Sequence, residues 1–267
     1  MKVLIIAPHQ DDEILAAGGL IQRLRKNGAR IAVLFATNGD YHGPQIALQR
    51  YCESCNALEY LGVSSDEVFY LGYGDTGMHD TYSFLRKLRF ASKESAFTTP
   101  FSTTTYHPAK KLTVHALRTG EESLLTHGAF IDDLTWFVNQ YMPDLMILPH
   151  PNDQHGDHAA ISVFLQATTV LAHIPFCLTY IIHGGNDMAW PHRDTNVFLC
   201  PPVITGELWK NRISIQLTDT ERHCKIQALQ LFETQLSSDT AGFLLSFCKQ
   251  EEIFFLFAED NLSQQNI

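Results

Sequence analysis

Short apolar runs and longer amphipathic segments alternate along most of the chain. Residues 2–7 and 31–36 are almost wholly apolar, a pattern typical of strands buried on both faces of a sheet. Residues 13–27 and 46–61 repeat their apolar positions at helical spacing, and glycines follow both segments. By the same criteria, further strands are predicted over 67–71, 144–148, 178–183 and 197–199, and further helices over 130–141, 157–172 and 218–236.

Helices that separate successive strands favour a parallel sheet, because each helix returns the chain to the edge where the next strand begins. The sequence therefore predicts a three-layer α/β fold, Rossmann-like, with a mostly parallel, doubly wound sheet and helices on both faces. We expect residues 1–267 to form a single domain.

One region, 74–127, interrupts this alternation. It is rich in Thr and Ser with interspersed aromatic residues, and it shows no clear helical or strand pattern. Stretches of this length without regular structure are uncommon inside compact domains unless they form a lid or a binding loop. Two interpretations remain open: a lid-like segment that shapes substrate choice, or a peripheral insertion with little function.

The charge of the chain limits its partners. Its formal net charge is −10 at pH 7, whereas nucleic acids and anionic membrane surfaces are bound through basic faces. Its apolar runs are too short to span a bilayer, and the first is too short for a signal peptide. We therefore expect a cytoplasmic protein that neither binds nucleic acid nor spans a membrane.

Two polar clusters follow apolar runs that are predicted to be strands. The first is PHQDDE at 8–13, and the second is DQHGDH at 153–158. Carboxyl ends of parallel strands lie at one edge of a sheet, which is where open α/β sheets place their sites. Together the clusters offer enough imidazoles and carboxylates to hold a divalent metal and still leave an acid and a base. This combination predicts a metal-dependent hydrolase.

The first task of these clusters is to bind the metal. A catalytic zinc ion takes three protein ligands and keeps a fourth position for water. His9 and Asp12 lie three residues apart in the turn that leaves the first strand, so both can reach one point. His158 completes a His/Asp/His set, and His150 is an alternative ligand. Nitrogen and oxygen ligands discriminate poorly between metals, so Fe²⁺ or another divalent ion is an alternative to Zn²⁺.

The remaining groups supply the chemistry of hydrolysis. Asp11, next to a ligand, is free to accept a proton from the attacking water. His155 lies one helical turn before His158 and faces the substrate, where its protonated ring would stabilise an oxyanion. The carboxylate of Asp157 is expected to orient the His155 ring or to balance its charge.

Both clusters resemble signatures of the PIG-L/LmbE-like zinc-dependent de-N-acetylases, which have the forms (A/P)HPDDE and D-x-HPDH. The resemblance implies hydrolysis of an N-acetyl or other N-acyl group on a small-molecule amino-sugar conjugate, and it implies that homo-oligomers are common. It assigns the metal to His9, Asp12 and His158, the general base to Asp11, and the acid or oxyanion stabiliser to His155 paired with Asp157.

Weaker likenesses extend the match toward the C-terminus. Arg50 begins a segment similar to the family's RxxE, with the guanidinium directed toward substrate. His183 ends a segment similar to the family's YxxH and is expected at the rim of the substrate site. Lys225-x-x-Ala228 and Gln235 resemble the family's C-terminal helix.

Two departures from the signatures concern prolines. Gln10 and Gly156 stand where the family has proline. Neither proline supplies a ligand; each fixes the φ angle of the backbone, so its loss either loosens the loop or leaves it unchanged. Gln10 is also expected to offer a hydrogen-bonding side chain at the rim of the site. No catalytic group is removed, and we expect the protein to be active.

Three other functions are weighed against deacetylation. A nucleotide-binding enzyme would need a glycine-rich loop after the first strand, where this chain has PHQDDE. A metal-dependent phosphoesterase uses similar residues, but two-metal phosphatases need more ligands than the clusters provide. A non-catalytic sugar-binding descendant has no need of a base, and Asp11 and His155 are both present.

Overall fold

Alternating strands and helices build this computed structural model, which describes residues 1–78, 83–185, 190–191, 198–202, 206–236 and 240–257. The strands are β1 (Lys2–Ala7), β2 (Arg30–Thr37), β3 (Val68–Tyr73), β4 (Ala96–Phe97), β5 (Leu125–Thr126), β6 (Leu145–Pro149), β7 (Phe176–Tyr180), β8 (Ile213–Gln216) and β9 (Glu251–Leu256). The helices are α1 (Asp12–Lys26), α2 (Pro44–Tyr60), α3 (Phe84–Arg89), α4 (Val114–Thr119), α5 (His127–Tyr141), α6 (Gly156–Gln166), α7 (Asp219–Leu229), α8 (Glu233–Leu236) and α9 (Ala241–Ser246).

Seven of these strands form the central sheet, in the order β3-β2-β1-β6-β7-β9-β8. The pairings from β3 through β7 are all parallel, and β9 is antiparallel to both β7 and β8. The strand order reverses between β1 and β6, which makes their carboxyl ends the topological switch point of the sheet. The predicted fold class is confirmed.

Helices cover both faces of the sheet. Successive residues of a strand point to opposite faces, so neighbours in β1 belong to different cores. Ile5 packs in one apolar cluster with residues of α1, α2 and α7, whereas Ile6 packs in a second cluster with residues of α5 and α6. None of the helices in the described ranges is long and apolar enough to cross a membrane.

A buried ion pair supports a kink in α1, the helix that begins at the first polar cluster. The kink lies at Ala17, whose φ of −140° is not helical. Just before it, the ammonium group of Lys225 donates to the carbonyl oxygen of Leu15 at 2.7 Å. Just after it, Glu252 accepts the N–H of Gly19 at 2.8 Å and also pairs with Lys225 at 2.8 Å. The pair therefore satisfies backbone groups that the kink leaves without helical partners.

Some helices and strands end at other residues than the sequence predicts. The strand predicted over 178–183 ends at Tyr180, because Ile182 and His183 turn to donate their N–H groups to Asp153. The helix predicted over 157–172 ends at Gln166. Of the strand predicted over 197–199, residue 197 lies outside the described residues.

The helix predicted over 218–236 is in fact two helices, α7 and α8. Phe232 lies between the two helices, and its side chain is fully buried in the core. Strands β8 and β9, both after residue 200, were not predicted from the sequence.

Region 74–127 contains regular structure, unlike the stretch that the sequence suggested. In its described part it forms α3, α4 and a small antiparallel pair of β4 with β5. Buried Asp133 of α5 anchors α4 through Arg118 at 2.9 Å and His115 at 2.9 Å. At its other end α3 packs against α6, next to the second polar cluster.

Candidate metal centre and active site

Both polar clusters lie at the carboxyl ends of neighbouring strands. His9 to Asp12 form the turn from β1 to α1, and the second cluster links β6 to α6. Because β1 and β6 pair in parallel, the two clusters meet at one edge of the sheet. The structure thus brings together residues that are almost 150 positions apart in sequence.

Three of these side chains converge in the arrangement of a metal site. Ligand atoms of His9, Asp12 and His158 all lie within 4.8 Å of one another, and all three residues are buried. Asp12 Oδ2 lies 3.5 Å from His9 Nδ1 and 3.2 Å from His158 Nε2. Two imidazoles and one carboxylate match the ligand set of a catalytic divalent metal.

The environment of His158 fits a cation between the carboxylates. The ring is fully buried, and neither nitrogen has a hydrogen bond of good geometry, although Asp12 and Asp153 oxygens lie at 3.2 and 3.3 Å. Burial alone would lower the pKa of His158, but these two carboxylates outweigh it and raise the pKa to about 9. The site therefore stabilises positive charge, which a divalent metal would supply in place of protons.

His9 shows the same balance of burial and charge. Burial lowers its pKa, but the carboxylates of Asp75, Asp12 and Asp157 together raise it well above the usual value. Asp12 moves in the opposite direction: the positive charge of His158 holds the pKa of its buried carboxyl well below the usual range. The carboxylate of Asp12 is thus ionised, as a ligand must be.

Asp11 has an unusual backbone and a perturbed carboxyl group. Its φ of 113° is one that residues other than glycine rarely adopt. The carboxylate of Glu13 holds it there by accepting the Asp11 N–H at 3.0 Å, and Ser54 donates to the other Glu13 oxygen. Burial raises the pKa of Asp11 to about 7, although nearby Arg50 opposes this effect. Such a group exchanges a proton near neutral pH.

The ring of His155 is oriented by a backbone hydrogen bond. Its Nδ1 accepts the N–H of Asp157 at 3.2 Å, at the start of α6. Because Nδ1 accepts, Nε2 carries the proton. Burial, followed by the charges of His9, His158 and His183, lowers the pKa of His155 well below its usual value. This environment favours the neutral ring of His155, with Nε2 as the donor.

The carboxylate of Asp157 also differs from expectation. One oxygen accepts the backbone N–H of Leu85 at 2.7 Å, and the other lies 3.3 Å from His9 Nε2. The expected pairing with His155 runs through the Asp157 backbone, because the fully buried side chain points toward the β1 turn and α3. Asp157 thus orients His9, while its own position depends on the start of α3.

Arg50 and His183, two further predicted residues, lie close to the candidate reacting groups. Arg50 donates to the carbonyl oxygen of Gln10 at 2.6 Å, and its guanidinium lies 3.7 Å from Asp11 and 3.9 Å from Asp75. His183 lies beside His155, with ring centroids 5.2 Å apart. Both face the candidate reacting groups.

Sequence reasoning missed or misplaced several residues. Asp75 lies 3.9 Å from His9 and lines the cavity; its position just after β3, another parallel strand, is the signal that could have identified it. No role was predicted for Asp153 from the sequence. Its carboxylate accepts hydrogen bonds from three backbone N–H groups and lies 3.3 Å from His158 Nδ1. His150, the alternative ligand, instead accepts the N–H of Asn152 and packs against Phe255.

The two residues that replace prolines are both buried. Gln10 is not at the rim: its amide donates to the carbonyl oxygen of Thr37 at 3.0 Å and to the Tyr70 hydroxyl at 3.3 Å. At Gly156, any Cβ would overlap the hydroxyl oxygen of Ser83, just before α3. Neither substitution leaves an open space in its loop.

A large cavity is lined by two of the candidate metal ligands, His9 and Asp12, and by the candidate base, Asp11. Its volume is about 940 Å³, and it opens between α2 on one side and α8 and α9 on the other. His9, Asp11 and Asp12 lie in its floor, and Phe243 and Leu244 contribute an apolar wall. A small molecule can thus reach the reacting groups.

Comparison with known proteins finds relatives in sequence and in structure. Residues 4–169 match the family described as PIG-L, GlcNAc-PI de-N-acetylase. A diacetylchitobiose deacetylase from Thermococcus kodakarensis is 35% identical over 82 residues. That segment is 28% of this chain and 30% of the relative, so the match spans under a third of the relative's length.

Solved structures share the fold over nearly the whole chain. The N,N'-diacetylchitobiose deacetylase from Pyrococcus horikoshii, complexed with an inhibitor, matches with a TM-score of 0.56 at 18% identity, over 97% of this chain and 84% of that chain. The zinc-inhibited form of the teicoplanin deacetylase Orf2 matches with a TM-score of 0.57 at 14% identity, over 96% and 97% of the two chains. At these identities the likeness is one of fold.

Proposed function

Because the chain belongs to the PIG-L family of GlcNAc-PI de-N-acetylases, we propose that it is a metal-dependent hydrolase that removes an N-acetyl or other N-acyl group from an amino-sugar conjugate. The observation that carries the proposal is the convergence of His9, Asp12 and His158 beside Asp11 and His155. Three ligands, a base and a donor at one site are what amide hydrolysis by activated water requires.

We assign the metal to His9, Asp12 and His158, with Zn²⁺ as the first candidate. Two features support the assignment: the buried, poorly bonded ring nitrogens of His158, and the carboxylates that surround both imidazoles. A divalent ion bound there would act as a Lewis acid on the acyl carbonyl and would lower the pKa of water.

Asp11 is proposed as the general base. Its pKa of about 7 lets the carboxyl group accept a proton from the attacking water and hold it until the amine leaves. The rigid contact of the Asp11 N–H with Glu13 keeps the carboxylate directed into the cavity. The same proton is then available to the departing amine.

His155 is proposed to donate a hydrogen bond from Nε2 to the carbonyl oxygen as negative charge develops there. Asp157 keeps this tautomer through its backbone N–H. Arg50 and Asp75, a donor and an acceptor 3.9 Å apart, are placed to orient the hydroxyl groups of the sugar, and His183 borders the same space.

Two variants test the proposal. Asp11→Asn is expected to keep its bound metal but to lose release of free amine from N-acetylglucosamine and its glycosides by at least about 10²-fold, since it can no longer accept a proton. His158→Ala is expected to lose the metal itself, as measured by elemental analysis. Asp132→Asn and His173→Ala, both exposed, are the matched controls. Full activity of Asp11→Asn would remove it as the base.

The same assay separates the alternatives. Hydrolysis of nitrophenyl phosphate that is abolished by His158→Ala, without amine release from any N-acetylated sugar, would identify a phosphoesterase. Sugar binding without turnover in the presence of excess zinc would identify a non-catalytic binding protein. The proposed deacetylase releases amine and leaves nitrophenyl phosphate unchanged.

A further inference from the structure

The cavity around the candidate metal site has room for more than one amino sugar. Its volume of about 940 Å³ lies at the upper end of the roughly 300–1,000 Å³ typical of pockets that enclose a drug-sized ligand. The proposed reacting groups and Arg50 are only some of the residues that line this cavity. A substrate that fills the cavity therefore extends beyond the N-acylated ring.

One face of α2 indicates the direction of this extension. Ile46, Gln49 and Arg50 line the cavity, and their spacing places them on one side of the helix. One turn after Arg50, Glu53 accepts two hydrogen bonds from Thr234, at 2.9 and 2.6 Å, which join α2 to α8. The cavity extends along α2 to Ile46, which lies about 6 Å from Arg50 along the helix axis, and it also reaches across to α8, where Thr234 and Gln235 line it.

Apolar and aromatic side chains surround this end of the cavity. Tyr41 is 54% exposed, and its ring lies against the backbone of Gly77, within 2.8 Å of where a Cβ would stand. The φ of Gly77 is +96°, a value that glycine adopts without strain. We define the rim patch as the four lining residues Tyr41, His42, Ile46 and Met78.

The charges of the described residues that line the cavity disfavour an anionic group on the substrate. Four carboxyl groups line the cavity, those of Asp11, Asp12, Asp75 and Glu233, and Arg50 is the one lysine or arginine among its described lining residues. Arg50 already lies beside two of these carboxyl groups. A phosphate or carboxylate on the substrate would meet no free cation among these described residues.

We propose that the rim patch is a second binding subsite, which takes an uncharged aglycone with a flat apolar face. This deepens the proposed function and rests on it, since the amino sugar attached to that aglycone occupies the metal site. The ring of Tyr41 offers a face on which such a group stacks, and Met78 and Ile46 supply adaptable apolar contact. Aryl groups and the C–H faces of neutral sugars share this chemistry.

Substrate series test the subsite directly. The arms are free N-acetylglucosamine, its phenyl glycoside, its disaccharide with a neutral sugar, and N-acetylglucosamine 1-phosphate. We expect kcat/KM for the phenyl glycoside, the disaccharide or both to exceed that for the free sugar by about tenfold, and that for the phosphate to fall below it. Comparison of the phenyl glycoside with the disaccharide distinguishes an aryl from a sugar aglycone. Preference for the phosphate would overturn the proposal.

Variants show whether the preference comes from the rim patch. Tyr41→Ala is expected to reduce the ratio of kcat/KM for the preferred glycoside over the free sugar by about fivefold, in line with the loss of one stacking contact. Leu48→Ala is the matched control, because Leu48 is an apolar residue close to Tyr41 in sequence, is 43% exposed and is not among the residues that line the cavity. An equal ratio in wild type and Tyr41→Ala would overturn the subsite.

Binding separates this proposal from the proposed function. Saturation-transfer NMR measures binding of the phenyl glycoside with or without turnover. Binding that Tyr41→Ala weakens, in a protein that releases no amine, would support the subsite and overturn the deacetylase. Amine release with no dependence on the aglycone or on Tyr41 would do the reverse. Absence of both binding and turnover would overturn both.

Discussion

Asp11 combines a strained backbone with a carboxyl group that is shielded from water. Its φ of 113° would cost a free peptide of order 1–3 kcal/mol, and such residues tend to lie at functional sites. Here the buried Glu13 compensates by accepting the Asp11 N–H, and burial raises the pKa of Glu13 itself to about 8. The strain places the carboxyl group of Asp11 in the cavity, beside the candidate ligands.

This carboxyl group makes the stability of the metal-free protein depend on pH. The folded pKa of Asp11, about 7, lies above its ordinary value of 3.8. As pH rises between these values, the unfolded chain has lost the proton and the folded protein keeps it, so the free energy of unfolding falls. Asp11→Asn removes this effect. We expect its stability relative to wild type to be about 2 kcal/mol greater at pH 8 than at pH 5.

Urea unfolding at the two pH values, with a chelator present, measures this difference. Asp132→Asn, an exposed residue of α5, serves as the control. An Asp11→Asn variant with the same relative stability at pH 5 and pH 8 would contradict a raised pKa at this position.

Gln10 shows how a residue can replace proline without loosening a loop. Its amide links the β1 turn to Thr37 and Tyr70, and its backbone carbonyl holds Arg50. Gln10→Ala removes the first two bonds and leaves a void, so we expect the free energy of unfolding to fall by about 2 kcal/mol. Because the backbone carbonyl remains, KM should change by less than about threefold. Denaturant titration and steady-state kinetics test the two statements, and a large rise in KM at unchanged stability would contradict them.

Gly156 stands in the second polar cluster at a position where the family signature has proline, and the packing of α3 against α6 accounts for this glycine. Gly156 is the first residue of α6, a position where proline is favourable. A glycine there lets Ser83 approach so closely that any Cβ would overlap its hydroxyl oxygen. The same approach brings the N–H of Leu85 to the carboxylate of Asp157. Region 74–127 therefore supports the candidate site through α3.

Gly156→Ala is expected to separate α3 from α6 and to destabilise the protein by about 1–3 kcal/mol, because the added methyl group meets a packed neighbour. The N–H of Leu85 would then withdraw from Asp157, and metal affinity would fall with the loss of support for His9. Adding Ser83→Gly to this variant should restore part of both losses. A double-mutant cycle on unfolding free energy measures this; a coupling energy of zero would refute direct packing.

At the scale of the whole molecule, the candidate metal site joins two distant parts of the chain. Asp12 begins α1 and His9 lies in the turn before it, while His158 lies in α6 on the opposite face of the sheet. An ion held by all three would link both helices to the edge of the sheet at the switch point. Unfolding would have to break that link.

Metal binding should therefore stabilise the fold. With free Zn²⁺ at a hundred times its dissociation constant, the free energy of unfolding is expected to rise by about 2.7 kcal/mol, with a higher Tm. Differential scanning calorimetry with zinc and with a chelator measures the shift. His158→Ala should show none of it, whereas His173→Ala should behave as wild type. An equal zinc shift in His158→Ala would place the ion elsewhere.

Local patterns predicted most of the fold but not its C-terminal part. Strand β1 and the parallel sheet were predicted because apolar runs and helical spacing are properties of neighbouring residues. The division of 218–236 at Phe232 was missed, because that residue fits a helix in sequence and leaves it only to fill the core. Asp75 was missed for a similar reason: one carboxylate after a strand has no motif until β3 is placed beside β2.

Spacing along the chain was enough to predict the parallel strands of the sheet, the family and the two polar clusters at strand ends. How the groups in those clusters pair depends on the tertiary structure. The carboxylate of Asp157 accepts a hydrogen bond from Leu85, 72 residues away, and lies 3.3 Å from His9, 148 residues away, while the ring of His155 accepts from the Asp157 backbone. Such contacts depend on which elements pack together, and a single cluster of residues does not contain that information.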